Sequence, residues 1–417
     1  MDGSRNTRSV LDQRLAIELD RIRTANLYRV RRVVAGTHGA QITVDGKSCV
    51  NFCSNDYLGL AADPRLAEAA RKSLSISGTG SGAAALVSGY NAEHARLEEE
   101  LAQFVQRPRA LLFGSGWAAN LGVLRALLGK NDTLIADELN HASLIDGGRL
   151  SGARYLRVAH GDASAFARAF SPLKKGGDGG FALLATDSVF SMGGDLAPLP
   201  ALSALCHQHA AALMVDDAHG FGVLGDCGRG SLFLAPPFEK GGAGGISTRA
   251  SLSVSDVPIY VATLGKALGC AGAFVAGSEA LIEYLIQRAR SWVFSTAPPP
   301  AIAAAARAAL RVVREDSERR VRLFDNLRRF RIGAAQVGIA LGESQTPIQP
   351  LILGDEQRAL ALSQYLFARG LWVAAIRPPT VPPGTARLRI TLSAAHTAAQ
   401  IDRLLDALAA GLKEAAC

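Results

Sequence analysis

The chain has 417 residues, of which 48% are hydrophobic and 20% are charged, and its formal net charge is +8. This composition is typical of a soluble globular protein with two or three domains, and the length allows a large core without disulfides or structural metal. The six cysteines form no C-x-x-C pair, which favours a reduced, cytoplasmic setting over a disulfide framework. The start of the chain leads into no apolar signal region, and no stretch is long enough to span a bilayer.

The positive charge does not indicate a nucleic-acid partner. The arginines of residues 311–331 are interleaved with Asp and Glu, a pattern typical of a solvated helix face. No ribbon of basic and aromatic residues and no zinc-finger spacing accompanies them, so we expect neither nucleic acid nor a bound metal. A basic rim could instead attract an acidic protein or a phosphorylated ligand.

The first fifty residues are predicted to form an N-terminal segment. Hydrophobic residues at helical spacing predict an amphipathic helix over 11–32, and two short alternating runs predict a β-hairpin over 41–52. The glycine-rich run 78–89 permits close backbone approach, so it fits either a phosphate or substrate loop or a flexible structural loop. It departs from G-x-G-x-x-G because an alanine stands at a glycine position.

Apolar strands and helices alternate through the middle of the chain, which predicts a doubly wound, mainly parallel α/β sheet. Sheets of this kind bind ligands at the carboxyl ends of their strands. Gly116 lies in a tight turn before a helix, where free backbone N–H groups suit an anion, although many such turns bind nothing. His141 follows one apolar strand, and Asp216 and His219 follow another, so we interpret them as a candidate site.

The stretch 261–272 holds one lysine, Lys266, in a run without any other charge. Desolvation lowers the pKa of an amine, and a neutral amine can attack a carbonyl group. The ordinary alternative is a lysine that ends a strand and reaches solvent. Residues 263–267 lack the earlier glycine and the following Ser or Thr of a P-loop, and the chain has neither a G-x-S-x-G elbow nor an H-E-x-x-H motif.

A smaller C-terminal α+β domain is predicted after the prolines at 298–300, which indicate a hinge. It begins with a long helix over 301–331. Arg377, between an apolar strand and two prolines, suits bidentate capture of a carboxylate, although a single arginine there is more often a surface residue. We place an N-terminal segment, a large α/β domain and this C-terminal domain at 1–50, 51–296 and 297–417, with flexible glycine-rich insertions near 172–180 and 237–254.

Taken together, these segments resemble the α-oxoamine synthase family of fold type I pyridoxal-phosphate enzymes. The resemblance covers nearly the whole chain. It implies an aspartate aminotransferase-like fold with a mainly parallel central sheet and a smaller C-terminal α+β domain, pyridoxal 5'-phosphate as the cofactor, and a cytoplasmic homodimer with a shared active site. The motifs that carry it are Asn55–Leu60, Phe113–Asn120, Asn140–Leu144, Asp187–Asp195, Val215–Gly220, Thr263–Gly269, Phe294–Pro299 and Ala375–Thr391.

The resemblance also implies a role for each site residue. Lys266 would carry the cofactor covalently and move the Cα proton, and Asp216 would pair with the pyridinium nitrogen, which keeps the ring an electron sink. His219 and Ser191 would hydrogen-bond near the phenolic oxygen, and His141 would stack on the ring. The other implied contacts are Gly116, Trp117 and Thr263 for the phosphate, Ser295 and Thr296 for the phosphate in the neighbouring subunit, Arg377 for the amino-acid carboxylate, and Arg29, Asn55 and Thr380 on the substrate side.

Within the family, the sequence of Ala375–Pro382 resembles the corresponding motif of the members that use L-alanine in biotin biosynthesis. The implied reaction is a decarboxylative condensation of L-alanine with pimeloyl-coenzyme A or a pimeloyl-acyl carrier protein. One alternative is a sister synthase of the glycine C-acetyltransferase or serine palmitoyltransferase kind. The other is a non-catalytic subunit, but such subunits typically lack the lysine that this chain has.

Three departures from the family pattern stand out. Ala83-Ala84-Ala85 replaces residues that are usually Gly, Ser or Arg-like, which puts one contact there in doubt. The run Ser191-Met192-Gly193-Gly194 has glycine where an aspartate is common. The interval from Asp216 to Lys266 exceeds the usual one by about the length of the second glycine-rich insertion.

Overall fold

The computed structural model of the protein describes residues 9–171, 180–234 and 252–414. Most of the two glycine-rich segments, at 172–180 and 237–254, lies outside the described residues, so their role as surface insertions stays a prediction. The helices of the described part are α1 (Val10–Thr24), α2 (Pro64–Ser77), α3 (Ala92–Phe104), α4 (Gly116–Leu127), α5 (Ala142–Ser151), α6 (Ala163–Phe170), α7 (Leu199–His209), α8 (Glu279–Arg288), α9 (Arg290–Val293), α10 (Pro300–Glu315), α11 (Glu318–Gln336), α12 (Glu356–Ala368) and α13 (Ala398–Glu414). The strands are β1 (Val34–Ala35), β2 (Gln41–Val44), β3 (Lys47–Asn51), β4 (Arg109–Phe113), β5 (Thr133–Asp137), β6 (Arg154–Val158), β7 (Ala182–Asp187), β8 (Ala212–Asp216), β9 (Ile259–Thr263), β10 (Ala273–Gly277), β11 (Ile348–Gly354), β12 (Leu371–Trp372), β13 (Ala374–Ile376) and β14 (Ala386–Thr391).

Seven strands form the central sheet, in the order β4-β10-β9-β8-β7-β5-β6. Strands β9, β8, β7, β5 and β6 run parallel, whereas β10 is antiparallel to both of its neighbours. The prediction of a mainly parallel α/β sheet is confirmed. Every residue of β5, β7 and β10 is buried, as expected for a sheet with helices on both faces. The carboxyl ends of the parallel strands therefore meet at one edge.

Two smaller sheets connect the ends of the chain. Strands β11, β14 and β13 form one, and β1, β2, β3 and β12 form the other. In the second sheet, β3 pairs in parallel with β12, so the N-terminal hairpin and a C-terminal strand share hydrogen bonds. The backbone continues this link, because Phe52 N donates to Trp372 O at 2.9 Å and Thr391 N donates to Phe52 O at 2.9 Å. The domain limits at residues 50 and 296 stay a prediction.

The predicted helix over 11–32 is wrong in its second half. Helix α1 ends at Thr24, and Asn26 takes a positive φ of 56°, which no helix interior accommodates. Residues 25–33 belong to no helix or strand, and the backbone carbonyls of Asn26 and Tyr28 accept hydrogen bonds from Arg377. Tertiary contacts of the backbone thus replace the intrahelical bonds that the apolar spacing suggested.

The predicted helix over 301–331 is also wrong, because it is divided into α10 and α11. The break falls at Asp316 and Ser317, where Asp316 has non-helical dihedral angles. Arg319 fixes the break, since its guanidinium contacts Asp316 at 2.9 Å and Asp63 at 2.7 Å. Strands β6 and β10 were not predicted. No helix in the three described ranges is long and apolar enough to cross a membrane.

The loop between β9 and β10 places Lys266 at the edge of the central sheet where the carboxyl ends of the parallel strands meet, here called the functional edge. Gly269 in this loop has no room for a side chain. Its φ is +65°, and an added Cβ would lie 2.2 Å from the backbone nitrogen of Ala61. Gly265 in the same loop has no such limit, because the nearest atom to its added Cβ is 3.5 Å away.

We expect Gly269→Ala to lower the free energy of unfolding by about 2–4 kcal/mol, because left-handed strain adds to the clash with rigid backbone. Urea unfolding at equilibrium measures this change. Gly265→Ala is the matched control and should stay within about 0.5 kcal/mol of the parent. Equal stability of the two variants would show that the loop does not pack as described.

Candidate active site

The ends of β7 and β8 bring two buried carboxylates together. Asp187 and Asp216 face each other in the parallel register. Asp216 accepts hydrogen bonds from Asn120 Nδ2 at 2.6 Å and from the backbone N–H of Ala218 at 3.0 Å. Burial, followed by the adjacent charge of Asp216, raises the pKa of Asp187 well above its ordinary value. The repulsion between the two carboxyl groups therefore favours a cation at this point of the sheet edge.

Lys266 lies at the same edge, in the loop after β9. The loop is closed by a backbone hydrogen bond of 2.9 Å from Leu264 N to Gly272 O. Burial lowers the pKa of the Lys266 amine, and the charges of Asp216 and Asp187 oppose that shift. Within the described part of the chain, the amine makes neither a hydrogen bond nor a salt bridge. It is therefore available for covalent chemistry.

The turn before α4 has the form of an anion site. Ser115 caps the helix, because its side chain accepts a hydrogen bond from Ala118 N at 3.1 Å. The N–H groups of Gly116 and Trp117 in the first turn have no partner among the described residues. A Cβ added to Gly116 would meet nothing within 4 Å. The open space and the free donors fit a phosphate group.

Three residues with implied phosphate contacts are engaged elsewhere in this chain. Thr263 donates its hydroxyl to the carbonyl of Gly272 at 3.0 Å. Ser295 donates to a backbone carbonyl one helical turn earlier, at 2.7 Å, and Thr296 forms an isolated bridge with Ala84. Ser295 and Thr296 are exposed.

His141 caps α5 at the functional edge. Its backbone N–H donates to Asp187 Oδ2 at 2.6 Å, and its Nδ1 lies 2.7 Å from Ser143 Oγ. The ring meets Trp117 edge-on, with 6.3 Å between the centroids. Burial lowers the pKa of His141, against the opposing charge of Asp216. The residue is nevertheless exposed in the single chain, and its imidazole lies beside the anion turn.

His219 and Tyr57 form another wall of the site. The Tyr57 hydroxyl lies 2.6 Å from His219 Nδ1 and 3.3 Å from Asn55 Oδ1. Burial, followed by the positive charges of Lys266 and Arg389, lowers the pKa of His219 well below its ordinary value. A neutral imidazole there can hydrogen-bond a ligand without adding charge.

Arg389 on β14 is a site residue that was not predicted from the sequence. Only 6% of the residue is exposed. Its guanidinium donates from Nε to Ser191 O at 2.6 Å, from Nη2 to Asn55 Oδ1 at 3.0 Å and from Nη1 to Thr391 Oγ1 at 3.0 Å. Among the described residues it has no carboxylate partner, which is costly for a buried cation unless a ligand supplies the negative charge. The alternation of Arg387 and Arg389 with apolar residues in β14 was the signal that could have identified it.

Arg377, Arg29 and Thr380 lie together in a more open place. Arg377 donates to the carbonyl of Asn26 and, at 3.5 Å, to that of Tyr28, while Arg29 donates to Thr380 Oγ1 at 3.2 Å. Partial burial, followed by the charge of Arg29, lowers the pKa of Arg377. Both arginines line a cleft of about 620 Å³. They connect the N-terminal segment to the proline-rich loop.

The site has a third buried carboxylate, Asp217, which directly follows Asp216 in the sequence. It accepts hydrogen bonds from Tyr260 at 2.8 Å, from the hydroxyl of Ser231 at 2.6 Å and from the hydroxyl of Ser188. Burial raises its pKa, and these donors oppose the rise. Because the three donors come from different segments, Asp217 fixes the turn between Asp216 and His219.

The arrangement fits pyridoxal phosphate. It offers a half-buried amine for the aldehyde carbon, a carboxylate for a ring nitrogen, an imidazole for a ring face and an open helix N-terminus for a phosphate. No group of three or more His, Cys, Asp or Glu in the described ranges could hold a metal ion.

Comparisons with known proteins point the same way. The family model for aminotransferase class I and II matches residues 47–408. An 8-amino-7-oxononanoate synthase from Thioalkalivibrio sulfidiphilus is 55% identical over 394 residues, which is 94% of this chain and 96% of that protein. A serine palmitoyltransferase structure from S. paucimobilis with bound PLP-myriocin aldimine superposes with a TM-score of 0.87 at 27% identity, over 98% of this chain and 100% of that one. An 8-amino-7-oxononanoate synthase structure from Francisella tularensis gives 0.73 at 32% identity, over 88% and 99%.

His160 forms an ion bridge beside the site. Its Nδ1 lies 3.0 Å from Asp137 and its Nε2 lies 2.8 Å from Asp195. These two hydrogen bonds raise the pKa of His160 to about 10. Asp195 also occupies the space beside Gly193, since a Cβ there would lie 2.0 Å from Asp195 Oδ1. The bridge therefore holds the loop that carries Ser191.

We expect the stabilisation from His160 to depend on pH. Its folded pKa lies above the unfolded value of about 6.5, so the contribution is fully present below about pH 6.5 and is lost as pH rises towards 10. The difference in unfolding free energy between the parent and His160→Gln, from urea titrations at about pH 6 and pH 9.5, should shrink at the higher pH. His38→Gln, at an exposed histidine without an ion pair among the described residues, is the control. A difference that is constant with pH would contradict the charged bridge.

Proposed function

The chain belongs to the aminotransferase class I and II family, and on that premise we propose that it is an acyltransferase that condenses L-alanine with a pimeloyl thioester. The products are 8-amino-7-oxononanoate, carbon dioxide and the free thiol, and the pathway served is biotin biosynthesis. The enzyme is pyridoxal-phosphate-dependent. The observation that carries the proposal is the half-buried Lys266 near the carboxylates of Asp216 and Asp187, because an amine with a lowered pKa suits covalent attachment to an aldehyde.

The residues of the sheet edge have distinct proposed roles. When bound, pyridoxal phosphate supplies an electron sink that acidifies the Cα–H bond of alanine. Lys266 Nζ takes that proton and later returns one to Cα. Asp216 pairs with the ring nitrogen, supported by its position at the end of β8 and its fixed donors. His141 covers the ring, and His219 hydrogen-bonds near the phenolic oxygen, where we also place Ser191.

The phosphate group would be held by the helix α4 turn. The free N–H groups of Gly116 and Trp117 support this role. Thr263 can contribute only as an acceptor or after its hydroxyl leaves the carbonyl of Gly272. The implied role of Thr263 is therefore the weaker of the phosphate contacts in this chain.

The remaining steps form and break bonds at Cα of alanine and at the thioester. The deprotonated Cα attacks the thioester carbonyl carbon, the thiolate leaves, the former alanine carboxyl group departs as carbon dioxide, and Cα is reprotonated. A cleft of about 910 Å³ fits the acyl donor. It is lined by apolar residues of the loop 378–383 with Phe190 and Met192. Charged residues of both signs also line it: Arg157, Arg387, Glu138, Asp195 and Glu343. The apolar part suits a pimeloyl chain, and the arginines suit the acidic groups of coenzyme A or a carrier protein.

Arg389 is the better placed cation for the alanine carboxylate. It is buried, has no carboxylate partner among the described residues and contacts both Asn55 and Ser191. Arg377, to which the sequence pattern assigns this role, is more exposed and donates to the backbone of the N-terminal segment. We therefore propose Arg389 for the carboxylate, and Arg377, Arg29 and Thr380 for the outer part of the substrate.

We also propose a homodimer in which Ser295 and Thr296 reach the phosphate of the neighbouring subunit. Large apolar side chains around them are left in water in a single chain: Phe294 is 70% exposed and Val87 is 79% exposed. The backbone links the two stretches, since Ala297 N donates to Ala83 O at 3.0 Å. An exposed apolar surface of this kind favours burial against a second copy.

A cytoplasmic location is the remaining part of the proposal. The five cysteines in the described residues are free thiols, as in a reducing compartment.

A serine palmitoyltransferase-like reaction is a second candidate, favoured by the closer superposition of that structure on this chain. The much higher sequence identity of the 8-amino-7-oxononanoate synthase makes the alanine reaction the first choice.

The assignment of the carboxylate can be tested by a pair of conservative variants. We expect Arg389→Lys to raise KM for alanine about 10–100-fold, because hydrogen bonds to charged groups are worth about 1.5–3 kcal/mol. Arg377→Lys, the matched control, should change this KM much less. Steady-state kinetics at saturating thioester gives both values. A larger effect at Arg377 would restore the assignment made from the sequence.

The reaction itself can be tested by assaying alanine, glycine and serine against pimeloyl-coenzyme A and a pimeloyl-acyl carrier protein. We expect turnover with alanine, and the donor with the higher kcat/KM identifies the thioester. Lys266→Ala should lose turnover and also the visible absorbance that borohydride removes, since both need the amine. Lys130→Ala, at an exposed lysine, should keep both. Use of glycine or serine without alanine would refute the proposed reaction.

A further inference from the structure

Asn120, on α4, connects two sides of the candidate active site. The residue is 0% exposed, and its Nδ2 donates to Asp216 Oδ2 at 2.6 Å and to Ser143 Oγ at 2.8 Å. Ser143, on α5, is also 0% exposed, and its Oγ lies 2.7 Å from His141 Nδ1. A continuous chain of three hydrogen bonds therefore joins the carboxylate at the end of β8 to the imidazole at the start of α5.

The chemistry of these groups fixes the direction of each hydrogen bond. A carboxylate accepts, so Asn120 must present an N–H to Asp216, and its second N–H is then directed to Ser143. The Ser143 oxygen accepts that bond, and its own proton has no other acceptor among the described residues than His141 Nδ1. The backbone N–H of Ser143 donates to the same nitrogen at 3.3 Å. His141 Nδ1 therefore accepts and carries no proton.

The other polar atom of Asn120 shows what the side chain is kept for. Its Oδ1 is buried and has no hydrogen-bond partner. An unpaired buried carbonyl is destabilising, and an apolar residue of similar size would avoid that cost. The two N–H groups are the part of the side chain that the site uses. The presence of asparagine at this position, despite its unpaired carbonyl oxygen, therefore indicates a functional requirement for its N–H groups rather than a packing requirement.

The backbone on the other side of His141 is fixed independently. Its N–H donates to Asp187, and Asn140 both accepts from Asp187 N at 3.0 Å and donates to Ala185 O at 2.8 Å. These hydrogen bonds fix the backbone of His141 without Ser143. The hydrogen bond from Ser143 to the ring therefore determines which ring nitrogen carries the proton.

We propose that Asn120 and Ser143 are positioning residues that transmit the orientation of Asp216 to His141 and hold its ring as the Nε2–H tautomer. The hydrogen bonds from Asp216 to His141 involve protein atoms only, so the tautomer does not depend on the proposed function. The role of His141 in catalysis does rest on the proposed function. Nε2–H is then the one ring donor of His141 left for the substrate. A group so held can donate to an oxygen of the bound acyl donor and cannot act as a base through Nδ1.

The tautomer can be read by nitrogen NMR on the full chain labelled with ¹⁵N-histidine, with and without pyridoxal phosphate, at about pH 7.5. His141→Gln assigns the signals. We expect Nδ1 of His141 to resonate as an unprotonated nitrogen in the parent. Ser143→Ala should shift the tautomer ratio about tenfold towards Nδ1–H, equivalent to about 1.4 kcal/mol, and Asn120→Ala should shift it in the same direction by less.

Ser164→Ala is the matched control, because Ser164 occupies the same second position of its helix, α6, and is exposed. It should leave the His141 signals unchanged. Urea unfolding identifies any variant that fails to fold, and Ser143→Ala and Asn120→Ala serve as independent tests of the same chain of bonds. In the holoenzyme, both should lower kcat more than they change KM for alanine.

A protonated Nδ1 in the parent, or a tautomer ratio that Ser143→Ala leaves unchanged, would overturn the proposal. Its failure is distinct from failure of the proposed function. If the parent shows no condensation of alanine with either thioester but its His141 tautomer responds to Ser143→Ala, the proposed role of Asn120 and Ser143 is supported and the proposed reaction is refuted. If the reaction proceeds and the His141 tautomer ratio does not change in Ser143→Ala, only the proposed role of Asn120 and Ser143 is refuted.

Discussion

Burial of opposite charges at the edge of the central sheet is the constraint on which the site depends. Asp216 and Asp187 are buried and Lys266 is half-buried, so each charge is felt strongly by the others. Burial lowers the pKa of the amine, and the carboxylates limit how far it falls. Two carboxylates at opposing register positions also raise the pKa of one of them. A cationic ring held by Asp216 would offset that repulsion, which is the electrostatic reason that the site suits a pyridinium.

The polar groups at this edge are held by a dense set of hydrogen bonds. Asp217 joins three segments behind Asp216, and Asn120 joins two helices beside it. The strands bring these residues into register, but the hydrogen bonds set the direction of each side chain. Preorganisation of this kind lets donors and acceptors act during the reaction without reorientation.

The arginines divide according to burial. Arg389 is enclosed and has no internal counter-ion among the described residues, so binding of an anion relieves an unpaired charge. Arg377 and Arg29 lie in a wider cleft and join the N-terminal segment to the proline-rich loop. The inner arginine therefore suits a small carboxylate that must be oriented, and the outer pair suits the remote end of a longer substrate.

The sequence by itself determined the mainly parallel sheet and the polar groups at its strand ends, because alternating apolar runs and the residues that follow them are local features. Lys266 and Asp216 could be singled out for this reason. Tertiary structure alone decided where the predicted helices over 11–32 and 301–331 end, since side chains from distant segments fix both breaks. It also decided that Arg389 faces the site while Arg377 binds backbone, because the burial of an arginine depends on the segments that pack around its strand. The order Asp216, Asn120, Ser143, His141 likewise exists only in three dimensions, where α4 and α5 place two side chains within hydrogen-bonding distance.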